Sequence, residues 1–319
     1  MKVLVTGIAG FVGSHLAKLL LKKGEEVFGI CLACESLENI REMKKDLHLS
    51  YCDMTDFNQL SKVIRRINPD EIYHLAALSS VGKSFDQPKD TIEANVSGTL
   101  NLLEILRNTR KKARVLIVGS SDMYGIVKPK DIPITEEKPL LPVSPYGVSK
   151  AVCDLLAYQY FKSYGVQTIR VRAFNHTGPR QMIGFVVPDF ASQIAKIEAG
   201  LLPPIMKVGN LSSRRDISDV RDIARGYQLL MKKGKVGEAY NICSGKAYSI
   251  QNVLNVLLSL SKKKIKVKIN EKQNRPAEIP VLGGDNSKIK RATGWKPNIP
   301  IEKTLEDTLN FWRNKINDE

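Results

Sequence analysis

The sequence predicts an α/β fold built on a doubly wound parallel sheet, and three observations carry that prediction. The chain opens with a short apolar run, a glycine-rich turn and a helical pattern that leads into a second apolar run, which is a βαβ unit. Further strand-like runs recur at Ile72–Ala76, Val115–Val118 and Thr168–Val171, separated by helical segments, the alternation that produces a parallel sheet. A length of 319 residues suits a two-lobed α/β enzyme with an ample core.

The first strand is Lys2-Val3-Leu4-Val5-Thr6, apolar enough to be buried. Gly7-Ile8-Ala9-Gly10-Phe11-Val12-Gly13 follows, then the helical pattern Ser14 to Leu21 and the second strand, Glu26 to Cys31. Glycines keep such a turn tight and let backbone N–H groups approach a pyrophosphate at the helix N-terminus. Gly7, Gly10, Phe11, Val12 and Gly13 are therefore expected to hold a dinucleotide; the plainer alternative is a turn that only packs helix on strand. An acid at the end of the second strand would bond the ribose 2′-hydroxyl of NAD, and an arginine the 2′-phosphate of NADP. Cys31-Leu32-Ala33-Cys34-Glu35 has neither at Cys31 or Leu32. That favours NADP(H), with Arg41 or Lys44 as candidates for the 2′-phosphate, and leaves NAD(H) open.

Ser144-Pro145-Tyr146-Gly147-Val148-Ser149-Lys150 starts another helix, with Ser144 as its cap and Pro145 at the first position, where no backbone donor is needed. Tyr146 and Lys150 are four residues apart and share one face. A cation beside a phenol lowers its pKa and makes a proton donor for carbonyl and alcohol chemistry. Tyr-x-x-x-Lys also occurs by accident on amphipathic helices, so the glycine turn upstream is what gives it weight.

In that combination the chain resembles, over nearly its whole length, the short-chain dehydrogenase/reductase superfamily in its extended, nucleotide-sugar-modifying branch. The resemblance implies a Rossmann-type doubly wound sheet with a smaller α/β substrate-binding lobe. Residues 1–173 would form the dinucleotide-binding domain, with about 216–244 returning to it. Residues 174–215 and 245–300 would form the substrate lobe, and 301–319 a C-terminal helix, amphipathic from Glu302 to Asn314. Asp53 and Met54 in Tyr51-Cys52-Asp53-Met54-Thr55-Asp56 stand where the family bonds the adenine, and Leu75-Ala76-Ala77 where the backbone passes the cofactor. Asn95-Val96-Ser97-Gly98-Thr99 matches an N-V-x-G-T helix segment, and Ser120 in Val118-Gly119-Ser120-Ser121 is the hydroxyl partner of Tyr146. Lys150 would bind the nicotinamide ribose and tune Tyr146.

The substrate segments narrow the resemblance. Phe174-Asn175-His176-Thr177-Gly178-Pro179-Arg180-Gln181 looks more like the GDP-4-keto-6-deoxy-mannose reductases than the sugar epimerases. Asn175 would bond the substrate, while His176 is better read as a packed turn residue than as a chemical group. Lys207-Val208-Gly209-Asn210-Leu211 and the later Arg214-Arg215-Asp216 are similar to the GDP-sugar enzymes. Arg215 would clamp the pyrophosphate, because a planar guanidinium bonds two oxygens at once. Arg275 matches a second diphosphate arginine, Glu278 a ribose contact, and Ser79, Ser80 and Ser121 pocket hydroxyls. The expected reaction is NAD(P)H-dependent reduction of the C4 ketone of GDP-4-keto-6-deoxy-D-mannose to GDP-D-rhamnose. A GDP-mannose 4,6-dehydratase is the nearest rival. It needs an acid–base group from the Ser120-Ser121-Asp122 segment, where Asp122 is one methylene shorter than the family's glutamate. A nucleotide-sugar 4-epimerase and a non-catalytic dinucleotide-binding protein stand further off; the latter tends to lose the tyrosine or the lysine.

Composition removes other classes. The net charge is +16, but lysines and arginines are spread along the chain, and the densest stretch, Lys262 to Ile269, alternates like a strand with a solvated lysine face. No nucleic-acid partner is expected. No apolar run reaches the roughly eighteen residues of a membrane span, and a strand starting at residue 2 leaves no room for a signal peptide. Five cysteines with a single C-x-x-C, Cys31 and Cys34, make no paired metal-ligand set and fit a reducing cytoplasm. The resemblance further implies a homodimer through a four-helix interface made by the helices of Asn95 and Tyr146, the latter offering Ala151, Leu155, Leu156, Tyr158 and Tyr160.

Overall fold

A computed structural model of the chain describes residues 1–109, 112–270 and 279–317. Its strands are β1 (Lys2–Thr6), β2 (Glu26–Cys31), β3 (His48–Tyr51), β4 (Glu71–His74), β5 (Arg114–Ser120), β6 (Gln167–Ala173), β7 (Asn175–Thr177), β8 (Ile205–Val208), β9 (Arg214–Asp219), β10 (Ala239–Ile242), β11 (Ala247–Ser249), β12 (Lys266–Ile269) and β13 (Val281–Leu282). Seven of them form one sheet in the order β10-β6-β5-β4-β1-β2-β3, every pairing parallel. The order turns back between β1 and β4, and a crevice opens at the carboxyl ends of strands at such a reversal.

Alternation along β1 supplies both cores. Val3 and Val5 join Leu16, Ala17, Leu20, Ile223, Tyr227 and Leu230 on one face. Leu4 joins Leu60, Ile64, Leu102, Leu103, Cys153 and Ala157 on the other. The helices Phe11–Lys22 and Val220–Lys233 therefore cover one side of the sheet. Phe57–Ile67, Gly98–Arg107 and Pro145–Tyr164 cover the opposite side.

β9 is the centre of a second sheet in the order β11-β9-β13, with β7 pairing its carboxyl half, and β8 pairs β12 separately. The helices Val186–Glu198, Ile250–Ser259 and Ile301–Asn317 enclose a third core around Phe190, Ile194, Leu254, Leu305 and Trp312. Residues 216–219 belong to this second sheet, so the chain returns to the large sheet with the helix at Val220. Ser287–Thr293 packs instead on that helix and on β10.

Two elements differ from the sequence reading. β4 stops at His74 rather than Ala76, because the amides of Leu75 and Ala76 turn to bond the Thr6 hydroxyl at 3.2 and 3.1 Å. The lysine-rich strand is confined to Lys266–Ile269 and its apolar side is also open, with Ile269 67% exposed. Among the described residues no helix is long and apolar enough to cross a membrane, and no group of His, Cys, Asp and Glu is placed to hold a metal ion.

Candidate active site

The glycine turn lies at the crevice. Gly7 has φ +69°, and a Cβ there would stand 3.0 Å from the Ala76 backbone; on Gly13 it would stand 2.2 Å from the Gly7 carbonyl oxygen. Only glycine at both positions lets turn, helix and the 75–77 segment meet. The helix begins after Gly10 with no side-chain cap and no acid in its first turn. Its first amides, Phe11 to Gly13, are left for an anion. Met54 is buried, and the Met54 and Thr55 carbonyls are held by Asn101 at 3.0 and 2.9 Å. Asp53 is bonded by the amide and hydroxyl of Thr55, both at 2.8 Å, which fixes its loop.

At the end of β2 the structure supplies an acid that sequence reading passed over. The Leu32–Glu35 turn brings the Glu35 carboxylate back to accept from the Leu32 amide at 3.4 Å, and burial raises its pKa. Leu-x-x-Glu after a strand was the available signal. Arg41 and Lys44 are exposed on the following 3₁₀ turn, Glu38–Asp46.

The candidate reacting groups meet where β5 ends and the helix Pro145–Tyr164 begins. Ser144 accepts from the Gly147 amide at 3.0 Å, as its capping role requires. Tyr146 is buried, with Ser120 near its phenol. The expectation of a lowered phenol pKa is reversed. Burial, then the Asp122 charge, push Tyr146 well above its ordinary value, and the nearby Ser120 hydroxyl opposes them. Lys150 is buried too, and burial lowers its pKa; among the described residues no carboxylate pairs with it. Asp122, despite its shorter side chain, accepts from the Ser120 hydroxyl at 3.1 Å, while its amide donates to the same oxygen at 3.2 Å. Ser121 is closed off at 1% exposure. Ser79 is exposed, and Ser80 caps the helix Val81–Asp86 by accepting from the Lys83 amide at 3.2 Å.

The substrate-side candidates are looser. Asn175 is exposed at the start of β7. Asn210 accepts from the Ser212 amide and hydroxyl at 2.9 and 2.8 Å. Arg215 lies along the Arg214 and Pro280 carbonyls at 2.9 and 3.4 Å. Arg275 and Glu278 fall outside the described residues. His176 is packed, as expected, but in the middle of β7 opposite Ser218 rather than in a turn: its Nδ1 is 2.9 Å from the Phe174 carbonyl, and its ring stacks on Phe11 at 6.0 Å. His15, one helical turn past Phe11, donates to the Pro179 carbonyl at 2.8 Å. These contacts, invisible in sequence, join the glycine helix to the substrate segment.

A glycine cradle that any Cβ would fill and a buried lysine without a carboxylate partner both fit a dinucleotide phosphate and its ribose hydroxyls. Fold and site together define a dinucleotide-binding dehydrogenase of the short-chain type. The chain belongs to the GDP-mannose 4,6 dehydratase family, whose model matches residues 4–308. The GDP-6-deoxy-D-mannose reductase of Pseudomonas aeruginosa is 30% identical, with 100% of this chain and 99% of that protein aligned. The solved structure of RMD from Pseudomonas aeruginosa complexed with NADPH matches with TM-score 0.85 at 31% identity, covering 98% of this chain and 99% of that one. A dTDP-glucose 4,6-dehydratase of Streptomyces venezuelae with NAD bound matches with TM-score 0.90 at 28% identity, covering 99% and 98%.

Proposed function

We propose that this protein reduces the C4 ketone of a GDP-4-keto-6-deoxyhexose, taking GDP-4-keto-6-deoxy-D-mannose to GDP-D-rhamnose. The observation that carries this is the meeting of Ser120, at the end of β5, with the buried Tyr146 and Lys150 of one helix, beside a glycine turn shaped for a dinucleotide. Gly7, Gly10 and Gly13, the Phe11–Gly13 amides, Asp53, Met54 and the Leu75–Ala77 backbone would hold a nicotinamide dinucleotide. When bound, that cofactor supplies a hydride. Tyr146 donates the proton to the developing C4 alkoxide, and its raised pKa keeps it protonated for that task. Ser120 would turn its hydroxyl proton from Asp122 to the same oxygen where charge develops. Lys150 takes the nicotinamide ribose hydroxyls, which gives its buried ammonium the partners it needs. Asn175, Asn210, Arg215, Arg275 and Glu278 would bind the nucleotide and sugar, with Ser79 and Ser80 as hydroxyls of the pocket wall; Ser121, expected among them, is closed off.

One observation favours a second reading. Asp122 reaches the Ser120 hydroxyl, so a carboxylate is in place for the acid–base step of a 4,6-dehydratase. Cofactor choice is likewise balanced: the lack of an acid at Cys31 and Leu32 supports NADP(H), and Glu35 at the same edge supports NAD(H). One assay separates these outcomes. Purified protein is mixed with GDP-4-keto-6-deoxy-D-mannose and NADPH, with NADH in a parallel cell, and nicotinamide absorbance is followed. Sugar-dependent loss of absorbance is the expected result. Conversion of GDP-mannose to a 4-keto product without added reductant, and no such loss, would replace the reductase by the dehydratase.

The assembly we propose is a homodimer through the helix Pro145–Tyr164 and its neighbours. Val148, Leu155 and Tyr158 are exposed there, and Ile92 and Leu100 on the adjoining helices, whereas Ala151 and Tyr160 are buried in the fold. A concentration-independent monomer mass in sedimentation would overturn it. A reducing cytoplasm is the compartment we propose, and the free thiols of Cys31, Cys34, Cys52, Cys153 and Cys243 support it.

A further inference from the structure

Beneath the reacting groups lies a chain of buried polar side chains whose centre, His74, has no part in the chemistry above. Thr6, His74, Asn95 and Thr99 are all at most 4% exposed. The Thr6 hydroxyl oxygen accepts from the Leu75 and Ala76 amides at 3.2 and 3.1 Å and stands 2.9 Å from His74 Nδ1. With its lone pairs taken by two amides, Thr6 has only its proton left for His74. Nδ1 is therefore the acceptor, and the imidazole is the neutral Nε2–H tautomer. Nε2 then donates to Thr99 Oγ1 at 3.0 Å, and Thr99 passes its own proton to the Asn95 carbonyl at 2.7 Å. A reversed ring would set two donors against each other at Thr6. Burial and the neighbouring Lys150 charge hold the His74 pKa down to about 3, so the neutral form persists at working pH.

This directional chain ends on both halves of the dinucleotide site. On one side Thr6 anchors the start of the Leu75–Ala77 segment that lies against Gly7. On the other, the Asn95 amide pairs with the Leu78 backbone at 2.8 and 3.1 Å, anchoring the segment's far end, and donates to Ser149 at 2.9 Å. Cys153, three residues past Lys150 on the same helix, is 3.2 Å from both Thr99 Oγ1 and the Asn95 carbonyl. Among the described residues His74 is the one side chain that bonds both threonines.

We propose that His74 is a positioning residue that locks the cofactor floor at Leu75–Ala77 in register with the helix carrying Tyr146 and Lys150. The proposal rests on the dinucleotide reading above and adds to it a residue that touches neither substrate nor cofactor. Its two arms separate by substitution. His74→Gln keeps a donor near Nε2 for Thr99 and removes the acceptor for Thr6; His74→Asn keeps an acceptor near Nδ1 for Thr6 and removes the donor for Thr99. Dinucleotide affinity is read directly by fluorescence titration of NADPH and NADH, and turnover by the reductase assay. The expected result is a split. His74→Gln weakens dinucleotide binding about tenfold, as one lost buried hydrogen bond would. His74→Asn binds it nearly as the wild type does, but turns over about tenfold more slowly with the cofactor KM unchanged. Equal losses in both variants, or none, would overturn the proposal. So would a wild-type ring that NMR finds protonated on Nδ1, a measurement that needs no variant to fold. Wild-type protein that binds the dinucleotide without reducing the sugar removes the reductase reading and leaves the affinity arm standing; failure to bind either dinucleotide removes both.

Discussion

At the proposed dinucleotide end of the crevice, recognition would be made mostly of backbone. Gly7 and Gly13 let main chain meet main chain, a helix start offers uncapped amides, and the buried Thr6 hydroxyl and Asn95 amide hold the two ends of the 75–78 segment. At the proposed sugar-nucleotide end it would be made of side chains: Asn175 is exposed, while Asn210 and Arg215 rest on nearby loop and strand atoms. Backbone recognition is rigid before the ligand arrives. Long polar side chains can change partner as it binds, so the second end can be altered without disturbing the first. Tyr146 and Ser120 sit between the two and take their geometry from the rigid end.

That contrast breaks most visibly at Tyr146. Tyr146→Phe should lower kcat by roughly 10³- to 10⁴-fold while dinucleotide affinity and melting temperature stay near wild type; loss of cofactor binding along with turnover would mean the phenol belongs to the binding end. Next comes the rigid end itself. Gly13→Ala puts a methyl 2.2 Å from a fixed carbonyl, so we expect about 3 kcal/mol of destabilisation in denaturant unfolding, with dinucleotide binding lost. A variant that melts and binds like the wild type would show that the helix start gives way easily.

The rigid end was legible because its signals are local. Thirteen residues carry strand, turn and helix start, and β1 and β2 fall where apolar runs and glycines put them. Ser144, Pro145, Tyr146 and Lys150 are legible for the same reason. What escaped depends on pairs far apart in sequence. The Thr6–His74–Thr99 chain spans three elements, and the His15–Pro179 bond joins residues 164 apart. The direction of the Tyr146 shift failed because spacing names Lys150 as its neighbour, whereas burial and the approach of Asp122 decide the outcome. Resemblance supplied the substrate residues one by one, but no spacing rule places Arg215 against the Pro280 carbonyl.

At the adaptable end, Arg215→Ala should raise the KM for the nucleotide sugar about 100-fold, the scale of a lost two-point contact to a diphosphate, with kcat and dinucleotide affinity unchanged. Arg215→Lys should recover only part of it, since an ammonium cannot match two oxygens in a plane. A simultaneous loss of dinucleotide affinity would show that the two ends are not independent.

The smallest effect is expected where the ends touch. His15 lies on the glycine helix, edge-on to Phe11 at 5.7 Å, and donates to Pro179 of the substrate segment. Burial is the main cause that lowers its pKa to about 4, with Arg180 and Arg221 adding to it and the Pro179 bond opposing. Between the ordinary value near 6.5 and about 4, the unfolded chain binds a proton at this position that the folded chain refuses. Stability therefore falls as pH drops through that window and is flat above it. Gln at this position keeps a donor for the Pro179 carbonyl and has nothing to titrate. His15→Gln should gain about 2 kcal/mol on the wild type between pH 7 and pH 5 in urea unfolding. His74 and His176, whose pKa values are also lowered, act alike in both proteins and cancel. Parallel stability curves across that range would mean that His15 is open to water, and that the joint between the two ends is looser than its hydrogen bond implies.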